Sequence, residues 1–455
     1  QAKTGTEKGS LDVAVNNDTL KNEVNKAKEA GVKVVEDKPK EVTVASDKVD
    51  EAKASIEQDY KTQANKVKEV TDKYKEDVAN RDKQVTIVEK KNEAAEAKYK
   101  EDLQKAQERN KQIEKDTFKV FAKGTLPKDA GIVLDDKTKS SGTFEVEREI
   151  ENIFVNDKGN IVINLKYGKD VAGANTLSYV TGDVSRNVLM DLEYNVEQKK
   201  EIKGYKAGFY RQGKIVDEEA DKFVAAKSKS GVNYQYFKPV NKDDGKKHPL
   251  IIWFHGNGEG GYKDYRNNVS QKLANRGAVA FAEDKTQKIF GGAYVVAPQA
   301  DDTWYNNYTK EYIKSVKAMI DEFVSENNVD KNRIYVFGAS AGGYMSFRMM
   351  IEYPNYFAAF STSAAALDKA ATSGGVATTT QDLMKIRNKP LWMVHAKNDP
   401  TISYENTSKR VYDVLSKYGA ILSSYPNVKI GETEYNGHWS WIYSLRNMPV
   451  NDKGE

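Results

Sequence analysis

Three patterns of apolar and polar positions follow one another along the chain. From about residue 41 to 123 there is neither glycine nor proline, and Lys, Glu, Ala, Gln and Asp dominate. Apolar positions recur at Val49, Ala52, Ile56, Tyr60, Ala64, Val67, Val70, Tyr74 and Val78. A second stripe, Ala94, Ala97, Tyr99, Leu103 and Ala106, continues to Ile113. The mean spacing is nearer 3.6 than 3.5, which predicts a straight exposed helix over 46–116 rather than a strict heptad seam. Ser46 followed by Asp47 is the expected N-cap, with an acid in the first turn. Val85-Thr86-Ile87-Val88 breaks the stripe and marks a bend or hairpin turn. If unbroken, a helix of about 70 residues reaches roughly 105 Å. Such a stalk does no chemistry; a solvated rod or a coiled coil with a helical partner is expected, preceded by an extended or partly ordered segment over 1–45.

From 117 to 212 the pattern shortens. Phe118–Phe121, Thr143–Val146, Asn152–Val155, Asn160–Leu165 and Leu192–Val196 read as short strands, with turn residues such as Asp157-Lys158-Gly159-Asn160 between them. Their spacing predicts a small all-β sandwich of immunoglobulin-like type. No catalytic grouping falls in it, so a spacer or a wall beside a cleft is expected. From 213 to 455 apolar strand candidates alternate with helical patterns such as Thr309–Glu326. The strands are Pro249–Phe254, Ala278–Phe281, Ala293–Val296, Arg333–Phe337, Phe357–Phe360 and Leu391–Val394. This is the βα alternation of a mostly parallel sheet covered on both faces.

Charge and composition narrow the function. The 71 basic and 67 acidic residues leave a net charge of +4 over 455 residues, which gives no case for nucleic acid. There is no cysteine, so disulfides, zinc-thiolate sites and thiol nucleophiles are excluded. No apolar run is long enough to span a membrane. The chain opens Gln1-Ala2-Lys3 and closes Asp452-Lys453-Gly454-Glu455, so a trimmed form of a longer protein is expected.

Gly338-Ala339-Ser340-Ala341-Gly342 follows the apolar run Arg333–Phe337 and precedes a helical pattern. A G-x-S-x-G between strand and helix is the pattern of a nucleophile elbow. A serine hydroxyl needs a base, and the chain has only four histidines: His248, His255, His395 and His438. His248 sits in a Lys-rich loop and is expected to be exposed. His255 opens the glycine run His255-Gly256-Asn257-Gly258-Glu259-Gly260-Gly261 and is expected to order that loop by hydrogen bonding. The order Ser340, Asp399, His438 is that of a Ser-Asp-His triad on an α/β sheet, with Asp399 in a loop after a late strand. Asp382 and Asp413, in predicted helices, are weaker rivals for the acid. Ala341 is expected to supply one oxyanion N–H, and Asn257 or Gly258 the other. A phosphate loop is disfavoured because the Lys-Ser/Thr pair is missing. Neither metal nor cofactor is expected.

These motifs carry resemblances. Residues 215–447 resemble serine esterases of the polyhydroxybutyrate depolymerase and feruloyl esterase group. The resemblance rests on 255–261, Ala297-Pro298-Gln299, Asp302-Thr303-Trp304, 338–344, His395-Ala396-Lys397-Asn398-Asp399 and Gly437-His438-Trp439-Ser440-Trp441. It implies that Gln299 and Trp304 border a substrate cleft, that Trp441 packs behind the histidine loop, and that an immunoglobulin-like domain precedes the catalytic one. The group continues into a further helix beyond the histidine loop, whereas only about 17 residues follow His438. Residues 10–116 resemble the alanine-rich segment of streptococcal antigen I/II-type surface adhesins. The resemblance is carried by Asp18–Asn22, Ala30–Val34, Ala52-Lys53, Asp59-Tyr60, Asn92–Ala95 and Asn110–Asp116. It implies an extracellular, wall-attached protein, and the absence of cysteine fits the cell surface of a Gram-positive bacterium. No Leu-Pro-x-Thr-Gly motif is present, so the anchor is expected outside this chain. The leading expectation is a surface serine hydrolase, most simply a carboxylesterase acting on a small-molecule or polymer-borne ester. A serine peptidase on the same triad and an adhesin built on a hydrolase fold are the alternatives.

Overall fold

The structure is a computed structural model. It describes residues 2–4, 8–12, 17–32, 34, 41–109, 113–126, 142–168, 171–180, 186–189, 192–202, 204–261, 268–368 and 375–449. Two compact units are formed, by residues 1–108 and by Arg109–Gly454.

In the first unit, strands Ala2–Thr4, Lys8–Asp12 and Glu41–Ala45 form a three-stranded antiparallel sheet. The segment expected to be extended contains a helix, α1 (Asp18–Ala30). Both of its ends are capped. The Asn17 side chain accepts from the N–H groups of Thr19 and Leu20, and Gly31 closes the helix at φ 103°. A second helix, α2 (Val49–Arg109), runs through Val85–Val88 without the expected turn. Helix propensity along a stretch free of Gly and Pro outweighs the β-branched cluster there. Ser46 is not a side-chain cap; it opens a 3₁₀ turn, Ser46–Lys48, and the acids of the first α-helical turn are Asp50 and Glu51. Leu20 and Val24 of α1 pack with Ala64 of α2, flanked by Tyr60 and Val67. Part of the predicted stripe is therefore covered by a helix of the same chain.

The second unit begins with an antiparallel sheet of four strands, in the order Gly208–Arg211, Leu192–Gln198, Phe118–Leu126, Gly142–Arg148. Two hairpins accompany it, Ile150–Val155 with Ile161–Leu165, and Leu177–Val180 with Arg186–Leu189. All five predicted strands are present. Buried Arg148 ties the region together by donating to the carbonyls of Gly173 (2.9 Å) and Lys166 (2.7 Å).

The α/β part is built on eight strands: β1 (Val224–Lys227), β2 (Asn233–Phe237), β3 (His248–Phe254), β4 (Tyr294–Gln299), β5 (Val329–Ala339), β6 (Ala359–Ser363), β7 (Leu391–Ala396) and β8 (Ile421–Tyr425). Their spatial order is β1-β2-β4-β3-β5-β6-β7-β8, and all pairings beyond β2 and β4 are parallel. Strand β3 is buried at every position, as a central parallel strand covered on both faces must be. Leu250, Ile252 and Phe254 join one core with helices α3 (Tyr312–Glu326) and α4 (Ala341–Glu352). Ile251 and Trp253 join the other, with Ala278, Val279 and Phe281.

Three expectations differ from the structure here. Ala278–Phe281, read as a strand, is part of a buried helical turn, Gly277–Phe281. A short apolar run buried on all sides has no periodicity to decide its type. A Cβ on Gly277 would strike the Trp253 ring, so the turn lies directly on β3. His248 is buried rather than exposed: it begins β3, and its ring nitrogens lie 2.9 Å from the Gly292 carbonyl and 2.9 Å from an Asp244 carboxylate oxygen. Its lysine neighbours point outward while the strand carries the imidazole in. The strand expected over Phe357–Phe360 begins two residues later, and Phe357 is a buried core residue before it.

Gly342 of α4 crosses β3 so closely that a Cβ there would collide with the carbonyls of Phe254 and His255. Gly342→Ala is therefore expected to cost about 1–3 kcal/mol or more, by overpacking against backbone that cannot yield. Urea unfolding of the full chain measures it, and an unchanged midpoint would contradict this packing.

Candidate active site

Ser340 joins β5 to α4 with φ 55° and ψ −117°, a conformation costly for a residue with a side chain. Neighbours hold it there. Its N–H donates to the Ser363 carbonyl (3.0 Å), and its own carbonyl accepts from Tyr344 (3.1 Å) and Ala366 (3.1 Å). The motif glycines are explained by contact. A Cβ on Gly338 would strike the Gly342 carbonyl and the Ser346 hydroxyl, so β5 meets α4 only without a side chain there, while Gly342 does the same for α4 against the end of β3.

The geometry brings Ser340, His438 and Asp399 into one chain of hydrogen bonds. His438 Nε2 lies 2.9 Å from Ser340 Oγ, and His438 Nδ1 lies 2.8 Å from Asp399 Oδ2. The carboxylate can only accept from Nδ1–H, which leaves Nε2 to accept from the serine hydroxyl. The histidine loop is fixed by its own turn: His438 N–H donates to the Asn436 side chain (2.9 Å) and Trp439 N–H to the Asn436 carbonyl (3.0 Å). Trp441 stands edge-on behind the imidazole, 5.1 Å between ring centres at 86°.

Asp399 is the most heavily bonded group of the site. Oδ1 accepts from the N–H groups of Thr401 (2.8 Å) and Ile402 (2.9 Å). Oδ2 accepts from His438 and also from His395 Nε2 (2.9 Å). Burial by itself pushes this carboxyl up, but hydrogen bonds from His395 and His438, the His438 charge and the Ile402 amide outweigh it. They hold the group well below the usual carboxylate range. His395, fully buried at the end of β7, contacts the Ser408 hydroxyl through Nδ1 (2.7 Å). The sequence offered His395 only as a motif member; its spacing of four from Asp399 was the available signal. The rival acids lie elsewhere: Asp382 pairs with Arg348 (3.2 Å), and Asp413 with Lys409.

The loop after β3 faces the serine. A Cβ on Gly256 would come within 3.9 Å of Ser340 Cβ. His255 holds this loop from below: Nδ1–H donates to the Gly256 carbonyl (2.7 Å) and Nε2 accepts from Ala300 N–H (3.1 Å). Asn257 is exposed at the tip, and Gly258 is buried with φ 100°. Ala341 takes the first position of α4, where backbone N–H groups have no acceptor within the helix. Gln299 and Trp304 support the loop instead of bordering a cleft. Buried Gln299 donates to the Glu259 carbonyl (2.9 Å), and Trp304, 1% exposed, lies with its ring centre 4.9 Å from that of His255. Sequence reading also missed buried Glu259, whose Oε1 accepts from the side chains of Asn187 (2.5 Å) and Asn275 (3.2 Å). Among the described residues, no group of three or more His, Asp or Glu side chains is arranged to hold a metal.

Comparison with known proteins agrees with this architecture. Residues 299–381 match the prolyl oligopeptidase family, and residues 3–106 match the adhesin P1 N-terminal domain family. A poly(3-hydroxyalkanoate) depolymerase C of Paucimonas lemoignei is 39% identical over 154 residues, 31% of this chain and 33% of the relative. The chain thus spans about a third of that relative's length. A thermostable esterase of known structure shares the fold, with TM-score 0.58 and 23% identity, over 74% of this chain and 89% of its own. The sheet and its elbow define an α/β-hydrolase fold. The chain carries a hydrolase domain of the serine type.

Asp399→Asn is expected to lower kcat by about 10³–10⁴-fold, because the amide would favour the wrong His438 tautomer. Since the folded value of Asp399 is depressed, its ionised form stabilises the fold above the ordinary carboxylate range near about pH 4. That contribution is lost as pH falls towards the lowered value. The stability gap between wild type and Asp399→Asn should therefore narrow from about pH 5 to about pH 2, read by urea unfolding at each pH. His395→Ala, which removes one of four donors and leaves the triad, should cost kcat roughly tenfold to a hundredfold, less than Asp399→Asn.

Proposed function

We propose that this protein is a serine esterase displayed on a bacterial surface. The observation that carries the proposal is the continuous Ser340–His438–Asp399 chain at a strained strand-to-helix elbow. His438 Nε2 would take the Ser340 proton as Oγ attacks an ester carbonyl, and the imidazolium formed would be stabilised by Asp399. The tetrahedral oxyanion would be met by the N–H of Ala341 and by that of Asn257 or Gly258. As the intermediate collapses, His438 would protonate the departing alcohol. A water deprotonated by the same imidazole would then release the acid from the acyl-enzyme.

An ester rather than an amide is favoured by the names of the two relatives, a polyester depolymerase and an esterase, so a small-molecule or polymer-borne ester is the proposed substrate class. The match of residues 299–381 to the prolyl oligopeptidase family favours a peptidase as the second reading. An immunoglobulin-like identity for the all-β segment is supported by its antiparallel sheet and hairpins. It is supported too by a structural match that extends over more of the chain than residues 213–455. Extracellular, wall-associated placement is supported by the adhesin P1 N-terminal match over residues 3–106. In that setting α2 would act as a stalk holding the esterase away from the wall, and any further helical partner would join it beyond the stretch covered by α1. An adhesive role would be compatible with this arrangement.

Fluorophosphonate labelling and turnover of p-nitrophenyl esters and peptide p-nitroanilides test the proposal together. The wild type should take up label and cleave esters in preference to anilides, with Ser340→Ala and His438→Ala losing at least about 10³-fold. Preferential anilide cleavage would favour the peptidase reading, and a folded wild type that neither labels nor turns over would exclude both.

A further inference from the structure

The all-β segment does more than precede the hydrolase domain: it sends one side chain to the loop that faces Ser340. Asn187 lies on the strand Arg186–Leu189, opposite Tyr179 in its hairpin, and is 6% exposed. Its amide Nδ2 donates to Glu259 Oε1 at 2.5 Å, across 72 residues of sequence. Glu259 is itself 3% exposed and belongs to the glycine run after β3. The other oxygen of that carboxylate, Oε2, lies 3.1 Å from where a Cβ on Gly256 would be, so the carboxylate is packed against the Gly256 backbone. Gly256 in turn is the residue whose Cβ position is 3.9 Å from Ser340 Cβ. Asn275 Nδ2 also donates to Glu259 Oε1 (3.2 Å), and Gln299 holds the Glu259 carbonyl (2.9 Å).

A carboxylate taken out of water must be met by donors, and each donor fixes where it can sit. Asn187 and Asn275 are neutral donors, so they fix the Glu259 side chain without adding charge beside a site where negative charge develops. The loop itself is rich in glycine and has little intrinsic rigidity. Its shape is therefore imposed by what grips Glu259 and Gln299. An oxyanion donor acts only when held where the transition-state oxygen will be, and a shift of about 1 Å can cost about 100-fold in rate.

We infer that Asn187 is a positioning residue for the reaction: through Glu259 it sets the oxyanion loop, making the all-β segment part of the working site. The inference rests on the esterase reading above. Asn187 does not reach the substrate, so its loss should leave KM and ground-state binding nearly unchanged and act on transition-state stabilisation.

The test is a double-mutant cycle in the full chain: Asn187→Ala, Glu259→Ala and the pair, with Glu259→Gln as the conservative variant. It is read in kcat, KM, the rate of fluorophosphonate labelling and the affinity of a trifluoromethyl ketone, which forms a tetrahedral adduct on the serine. Asn187→Ala should lower kcat, the labelling rate and the ketone affinity together by about 10–100-fold, with KM within about twofold. In the Glu259→Ala background the same change should have little further effect, and Glu259→Gln, which keeps an acceptor for Asn187, should retain most of the activity. Additive effects, or a drop in thermal midpoint without a parallel loss of ketone affinity, would overturn the inference by making Asn187 merely structural. So would Asn187→Ala matching wild type in all four readouts. A wild type that neither labels nor cleaves esters would instead defeat the esterase reading itself, and a cycle in which wild type is active separates the two failures.

Discussion

The close crossing of the Ser340 elbow over the end of β3 is the constraint on which the site depends. Two backbones approach there with no side chain between them, at Gly342 against the carbonyls of Phe254 and His255. That approach places Ser340 next to the loop that leaves β3, a strand buried at every position. The groups that converge on Ser340 are hung from strand ends: the glycine loop from β3, Asp399 from the loop after β7, and His438 from the segment beyond β8. Because strands β3 and β5 to β8 are parallel, their C-terminal ends lie on one edge, and Ser340 and His438, 98 apart in sequence, meet within hydrogen-bond distance.

Around that crossing the polar groups form a layered support. Asp399 is gripped by two backbone amides and two imidazoles, so it orients His438 without freedom to rotate. His395 is held on its far side by Ser408, the first residue of the helix Ser408–Leu415. The helix following β7 thereby contributes to the orientation of the base. Under the glycine loop after β3, His255, Gln299 and Trp304 form the corresponding floor. Side chains that looked like cleft walls in the sequence prove to be supports, and the difference lies in depth: a motif fixes which residues are near one another, while only packing decides which faces are covered.

Much of this was legible in advance where the chemistry restricts choice. With four histidines and no cysteine, the base had few possible identities, and glycines two residues either side of Ser340 marked the elbow. The long helix could be read from the absence of Gly and Pro, and the strands after 117 from their turns. What failed has a common cause. His248, Ala278–Phe281, Gln299 and Trp304 are all buried by neighbours distant in sequence, and their local context carries no sign of it. The partnership of Asn187 with Glu259 was illegible for the same reason, since neither residue belongs to a pattern until the sheet brings them together.

Helix α2 is stabilised unevenly along its length. Near its start, Leu20 and Val24 of α1 cover Ala64 and its neighbours, so opening that stretch exposes packed apolar surface. Further along, Tyr99 is exposed and surface pairs form between Glu96 and Lys100 and between Glu101 and Lys105, weak supports in open solvent. Backbone hydrogen bonds there open with local helix–coil fluctuations, while those under α1 open only with the packed pair. One continuous helix therefore contains both a slowly exchanging base and a rapidly exchanging shaft, a gradient in amide protection that follows tertiary cover rather than residue type.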